Sequence, residues 1–219
     1  MNCDAWPYLI EPMRLGDVPT VGVIERMVFA RPWPVDAYNY ELLENPKSHY
    51  MVARLRQAPQ KPQKGLRAAL RRAMIGSDLD RSLLGYGGLW MIIDEAHICT
   101  LAVHPEWRRK YIGELLLASL IEKATELADC CVTLEVRVSN LAAQHLYEKY
   151  GFNRAGLRKG YYSDNNEDAF IMTTDPVRSP QYRARFQELV DKLERMLNRE
   201  ASSISSPLIP EIAPPTWAP

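Results

Sequence analysis

Cysteine is scarce in this chain and unpatterned. The four cysteines among 219 residues, Cys3, Cys99, Cys130 and Cys131, have no CxxC spacing, and the adjacent pair would point to opposite faces of a strand. That argues against both a disulfide framework and a zinc site. Net charge is missing too. The 27 basic and 27 acidic side chains cancel, and the isoelectric point near 6.9 speaks against a general binder of nucleic acid or of anionic membranes. No stretch approaches the roughly 18 uncharged apolar residues of a membrane span, and the mean hydropathy is -0.28. The opening residues, MNCDAWPYLIEPMR, carry an acid and prolines rather than a basic-then-apolar leader, so no secretory signal is expected. Together these absences predict a soluble, cytoplasmic protein with no metal, no membrane partner and no direct nucleic-acid partner. What is present is 47% apolar residues, on a length that suits one domain with appendages and a sizeable core.

Along the chain, an edge strand is expected over 8–14, where Pro12 bars a central position. Asp17 is placed to cap a helix on which Val18, Val21, Ile24 and Val28 recur at helical spacing; Pro32 and Pro34 around Trp33 end it. A helix over 35–43 and a strand over 48–55 follow. From 56 to 82 the composition shifts: Pro59 and Pro62 sit in a Gln/Lys-rich linker, followed by the basic helical run GLRAALRRAM. A solvated surface insertion is the plain reading. The sharper one is a contact for an RNA-rich assembly through Lys61, Lys64, Arg67, Arg71 and Arg72. Strands over 83–93 and 96–103, joined at Asp94-Glu95, read as a hairpin. After His104-Pro105 comes a long helix with Ile112, Leu115, Leu116, Ser119, Leu120 and Ala124 on its apolar stripe.

A strand over 131–138 leads to a helix over 140–150, capped by Ser139 or Asn140 and closed by Gly151. Strands at about 152–161 and 168–174 complete the domain. Helices alternate with strands in the middle and hairpins sit at both ends, which predicts an α/β fold of the α+β type with a mixed sheet. A charged helix over 179–200 carries Tyr182, Phe186, Leu189, Val190, Leu193 and Met196 on one stripe, and such a stripe usually docks on its own domain. The tail from Ala201 is Ser- and Pro-rich and is expected to be disordered. The division is thus 1–175 as a domain with its insertion at about 56–82, 176–200 as a helix and 201–219 as a tail.

Chemistry concentrates where a strand meets the long helix, in Val103-His104-Pro105-Glu106-Trp107-Arg108-Arg109-Lys110-Tyr111-Ile112-Gly113. A helix N-terminus exposes unpaired N–H groups and a partial positive charge, and three added cations suit it to a pyrophosphate. Basic residues before a helix are also often merely solvated. Arg108-x-x-Tyr111-x-Gly113 resembles motif A, Q/R-x-x-G-x-G/A, of the GNAT superfamily of N-acetyltransferases, with Tyr111 in place of the first glycine. A tyrosine is expected to fit there only with negative φ and an outward ring.

Further on, Leu134-Glu135-Val136-Arg137-Val138-Ser139-Asn140, then Leu146-Tyr147, Gly151-Phe152, Arg158, Tyr161-Tyr162 and Glu167-Asp168-Ala169 run in the order and register of the RimI group. These are bacterial N-terminal-alanine acetyltransferases acting on ribosomal proteins. The resemblance covers about residues 8–174 outside the insertion. It implies a mixed, mostly antiparallel GNAT sheet flanked by helices, acetyl-CoA as co-substrate without a metal, and the N-terminus of a ribosomal protein of the small subunit as acceptor; it leaves the oligomeric state open. It also implies Glu135 as general base and Tyr147 as general acid. Leu101, Ala102 and Val103 would offer backbone bonds to the pantetheine arm; the amides from Arg109 through Lys110, Tyr111, Ile112 and Gly113 to Glu114, beside Arg108, would hold the pyrophosphate; Asn140 would touch the cofactor.

Each catalytic residue has a plainer reading. Thr133, Glu135 and Arg137 share one face of a strand, where Glu135 would be salt-bridged. Tyr147 lies on a stripe with Ala143, Leu146 and Tyr150, where tyrosines are usually core. His49, His97, His104 and His145 are scattered and read as structural or exposed. Competing functions are acetylation of a lysine or small amine, or a non-catalytic acyl-CoA-binding module.

Overall fold

A computed structural model describes residues 6–56, 80 and 82–204. The reading of the basic run after Pro62, and that of residues 205–219, lie outside the described residues.

One seven-stranded sheet organises the chain, in the order β1-β2-β3-β4-β5-β7-β6. Its strands are β1 (Tyr8–Pro12), β2 (Ser48–Leu55), β3 (Leu83–Ile92), β4 (Glu95–Val103), β5 (Cys131–Arg137), β6 (Asn153–Tyr162) and β7 (Glu167–Thr173). β1 is an edge, as Pro12 requires. Every neighbouring pair is antiparallel except β4 with β5. That single parallel contact needs a crossover, which is the helix α3 (Ile112–Leu127). The β3–β4 hairpin turns at Ile93-Asp94, with Ile93 at φ 56. At Gly88 in β3 the Tyr50 ring lies where any Cβ would be, so only glycine lets the ring cross the sheet.

Two cores form, one on each face. On one side α1 (Val18–Val28) and α2 (Val35–Leu43) cover β2, β3 and β4, burying Val18, Val21, Ile24, Tyr38, Tyr50 and Tyr86. Glu25 is buried on the same helix, accepting hydrogen bonds from the hydroxyls of Tyr38 and Tyr86 and, at 3.2 Å, from the Trp33 N–H. Asp17 does stand at the N-cap of α1 but makes no side-chain cap bond there. Its carboxylate instead accepts from the Arg14 N–H at 2.9 Å and from Arg54 at 2.6 Å, because the guanidinium gathers Asp17, Glu11 and Asp80 around itself.

On the other face lie α3, α4 (Leu141–Lys149) and α5 (Pro180–Ile204). α3 buries Leu117, Ala118 and Ile121 in addition to the predicted stripe, since α5 packs on its outer side. On α5 the buried stripe is Tyr182, Phe186, Val190, Leu193 and Leu197; Met196, expected there, is only half-buried. The drift is that of 3.6-residue spacing over four turns. The helix also runs on through Ile204, past the predicted start of the tail, because no proline interrupts it before Pro207.

Candidate active site

β4 and β5 pair only from Glu95↔Cys131 to Ile98↔Leu134, and beyond that point they part. The cause lies in the β3–β4 register. Gly88 faces Thr100 and Leu89 faces Ile98, which leaves Cys99 as an extra residue in β4. A bulge of this kind bends and twists its strand. Residues 99–103 therefore have one edge with no strand beside it, and alternate backbone N–H and C=O groups point into the gap. The gap is a cleft of about 360 Å³. Cys99 lines it, but burial pushes its thiol up to about 12, so it remains protonated.

Glu135 reaches this cleft from β5 with its side chain 6% exposed. One carboxylate oxygen lies 3.2 Å from His97 Nε2 and the other 3.2 Å from Arg158 Nη1. Arg137, the strand neighbour expected to pair with it, is drawn to the β6–β7 turn, where Asp164 and Glu167 bind it at 2.7 and 2.9 Å. Burial alone would raise the Glu135 pKa, but the His97 hydrogen bond and the charges of His97 and Arg158 outweigh it and hold the carboxyl below its ordinary value. His97 Nδ1 lies 3.2 Å from the Thr133 hydroxyl. With Nε2–H donating to Glu135 and Thr133 donating to Nδ1, all three groups are satisfied. The His97 ring stacks on Trp90, which stacks on Trp33, and the Trp90 indole donates to Glu41 at 2.6 Å.

Tyr147 enters from α4, buried and packed on Phe152 with ring centroids 5.7 Å apart. Burial, with a smaller contribution from Tyr162, pushes its hydroxyl well above the usual tyrosine range, so it stays a proton donor. Tyr147 is thus both core and cleft lining. Asn140, at the mouth of the same cleft, caps α4 by accepting from the Ala143 N–H at 3.2 Å, and Gly151 at φ 84 closes that helix.

Leu101, Glu135, Asn140 and Tyr147 therefore line one cleft. Ala102, Val103 and residues 108–114 lie outside its lining, at the continuing end of β4 and the start of α3. The expectation for Tyr111 is overturned in part. Its ring is 39% exposed, as required, but its φ is 59, and Arg109 is also left-handed at φ 61. Tyr111 is the N-cap residue of α3, and its carbonyl accepts the first helical bond, from Leu115 N–H, at 2.8 Å. The turn into the helix sets the backbone, and the side chain bears the strain at the surface. Lys110 lies over the Trp107 ring at 4.5 Å.

The sequence matches the acetyltransferase (GNAT) family over residues 26–152. The chain belongs to that family. Among its relatives is a Bacillus subtilis (strain 168) protein provisionally named a ribosomal protein bS18-alanine N-acetyltransferase, 39% identical over 163 residues, which are 74% of this chain and 92% of the relative. The N-alpha-acetyltransferase RimI of Mycobacterium tuberculosis is 30% identical over 181 residues, covering 80% of this chain and 97% of that one. The crystal structure of the Escherichia coli ribosomal-protein-S18-alanine N-acetyltransferase superposes with a TM-score of 0.60 at 26% identity, over 77% of this chain and 94% of its own. The protein is accordingly an acetyl-CoA-dependent N-acetyltransferase with the mixed α/β GNAT sheet.

Does the GNAT site of this chain suit that co-substrate? The unpaired edge of β4 offers a strand-like row of hydrogen bonds to an amide-containing arm. The first-turn N–H groups of the 16-residue α3 have no acceptor within the helix, and Arg108, Arg109 and Lys110 stand before them. A Cβ on Gly113 would meet only Val103 Cγ2, at 3.5 Å, which is ordinary contact. Packing within the protein does not require glycine there, whereas a phosphate lying close to the backbone does. Among the described residues no three His, Cys, Asp or Glu side chains are grouped to hold a metal ion, and no helix is long and apolar enough to cross a membrane. Sequence reasoning missed His97 and Glu25. The signal for His97 was its place two residues into an alternating strand, but nothing in the sequence says which strand lies beside it.

Proposed function

We propose that this GNAT enzyme acetylates the N-terminal α-amine of a protein in the cytoplasm, beginning with alanine and belonging to the small ribosomal subunit. The observation that carries the chemistry is that Glu135, from a strand, and Tyr147, from a helix, line the same cleft. The named activities of the Bacillus and Mycobacterium relatives support the choice of acceptor.

Acetyl-CoA supplies an acetyl group already activated as a thioester. The residues of the chain handle protons. Glu135 is ionised at every pH at which the amine is neutral, so it accepts the proton that the amine nitrogen loses when the N–C bond forms. Glu135 then gives that proton up to water in the cleft. Tyr147 donates its hydroxyl proton to the sulfur as the C–S bond breaks and regains one from water. An α-amine, with a pKa of about 7.7–8, is roughly 10–15% neutral near pH 7, against under about 0.1% for a lysine near 10.4. A weak carboxylate base therefore favours the α-amine.

The test is acetyl transfer to a panel of peptides that differ in first residue, or carry only an internal lysine, read by mass spectrometry. Turnover on alanine-first peptides, reduced about 10²–10⁴-fold by Glu135→Gln or Tyr147→Phe, is expected. Preference for the internal lysine or for a small amine would overturn the α-amine reading.

A further inference from the structure

α4 is a short helix for the task of holding a proton donor. Its nine residues make about two and a half turns, fewer than an isolated helix needs to be stable. Its last four carbonyls have no partner inside the helix, and Tyr147 lies in that last turn. Phe152 N–H closes on the Tyr147 carbonyl and Gly151 N–H on that of Glu148, each at 3.1 Å, and the carbonyls that follow Tyr147 are bound from α5 as well. Arg185 Nη2 donates to the carbonyl of Glu148 at 3.2 Å and to that of Lys149 at 3.1 Å. The Tyr182 hydroxyl donates to the carbonyl of Tyr150 at 3.0 Å. The Tyr182 ring also fills the space over Gly151, where a Cβ would come within 3.2 Å of it. From the other direction, Glu114 in the first turn of α3 binds Lys149 Nζ at 2.5 Å and the Tyr150 hydroxyl at 3.0 Å. The turn before α5 holds α3 in the same fashion, Arg178 donating to the carbonyls of Thr125 and Glu126 at 2.8 and 3.1 Å.

We propose that Arg185 and Tyr182 are positioning residues for acetyl transfer, acting through Tyr147. They cap the end of the helix that carries the donor and tie it to α5. The proposal rests on the reading of Tyr147 as proton donor. Two features separate it from a merely structural contact. Arg185 is exposed, so its bonds to carbonyls and its charge at the helix C-terminus contribute only modestly to stability. Orientation is far more demanding, because misplacing a reacting group by about 1 Å costs up to about 10²-fold in rate. The effect should therefore fall on kcat, not on folding.

The experiment uses the full chain with Arg185→Ala, Arg185→Lys and Tyr182→Phe, each made alone and again with Tyr147→Phe. Tyr182→Phe removes one hydroxyl and keeps the ring, which guards against a simple loss of fold. We expect Arg185→Ala and Tyr182→Phe each to lower kcat about tenfold. KM for acetyl-CoA should stay within about twofold, and Arg185→Lys should recover most of the loss. In the Tyr147→Phe background the same changes should cost nothing further, since residues acting through one group are non-additive. If they lower kcat by the same factor with and without the Tyr147 hydroxyl, the positioning role is wrong while the donor reading stands. A Tyr147→Phe enzyme with wild-type kcat overturns both.

Discussion

Replacing Tyr111 isolates the strain in the turn that leads into α3. A residue with a Cβ held at φ 59 pays roughly 1–2 kcal/mol for the left-handed region. Glycine pays no such penalty but loses about 0.5–1 kcal/mol more backbone entropy than alanine when it folds. Tyr111→Ala and Tyr111→Gly both remove the ring, so its contacts cancel in the comparison and only the backbone difference remains. Glycine should then be the more stable variant by about 0.5–1 kcal/mol, the reverse of its ordinary rank. In a chain of this length that corresponds to about 1–4 °C in Tm. Urea unfolding of the two variants side by side, with equal m values, measures it. The outcome should also extend to the ligand: acetyl-CoA should raise the Tm of both variants through binding to the folded state. If the alanine variant equals or exceeds the glycine variant, residue 111 does not hold a left-handed backbone and the geometry of the phosphate loop is other than described.

Three further expectations follow from particular contacts. His97→Ala removes the strongest partner opposing burial at Glu135, so the Glu135 pKa should rise. The Glu135 carboxyl should then titrate at higher pH, read by carbon-13 NMR with Glu135→Gln to assign the signal, and an unmoved titration would detach His97 from Glu135. Glu167 is held at about 2, against an ordinary 4.5, by the Ser139 hydroxyl and N–H and by Arg137. Its contribution to stability is present above about pH 4.5 and is lost as pH falls toward 2. Glu167→Gln should therefore flatten stability against pH in that window, measured by denaturant titrations at each pH. Phe186→Ala empties the buried face of α5 and should cost about 3–5 kcal/mol. A loss below about 1 kcal/mol by chemical denaturation would show that α5 is not docked as described.

Periodicity made most of the fold legible. Val18, Val21 and Ile24 marked α1, alternation and the Asp94 turn marked the β3–β4 hairpin, and Tyr182 through Leu193 marked the docked helix, because each signal is local. What required the third dimension was hidden. Asp17 has the chemistry of a cap, yet Arg54, 37 residues away, takes its carboxylate. The partners of Glu135 lie on β4 and β6, and only the sheet order brings His97 and Arg158 to it. Glu25 sits on an apolar stripe where a carboxylate looks misplaced until Tyr38 and Tyr86 arrive to satisfy it. Leu101, Glu135, Asn140 and Tyr147 line one cleft while residues 108–114 lie outside its lining, and φ at Tyr111 is positive where a negative value was expected, since side-chain identity alone does not set φ.

The parting of β4 and β5 has a mechanical side. The sheet is two half-sheets, β1 to β4 and β5-β7-β6, sewn together by the four residue pairs from Glu95 to Ile98. The core beneath α3 and α5 draws on both halves, with Ile98 from one and Val132 and Leu134 from the other. The core beneath α1 and α2 draws only on the first half. Arg31 does reach across on that side to the Ser163 hydroxyl at 2.9 Å, but at an exposed rim. The seam is therefore backed by packed apolar side chains on one face and crossed by polar contacts on the other, where His97 meets Glu135 and Thr133, like a binding with its spine along α3. Small changes in the angle between the half-sheets widen or narrow the space between Glu135 and the α1–α2 loop without disturbing either core. The width of the cleft is thus set at the seam and not within either core.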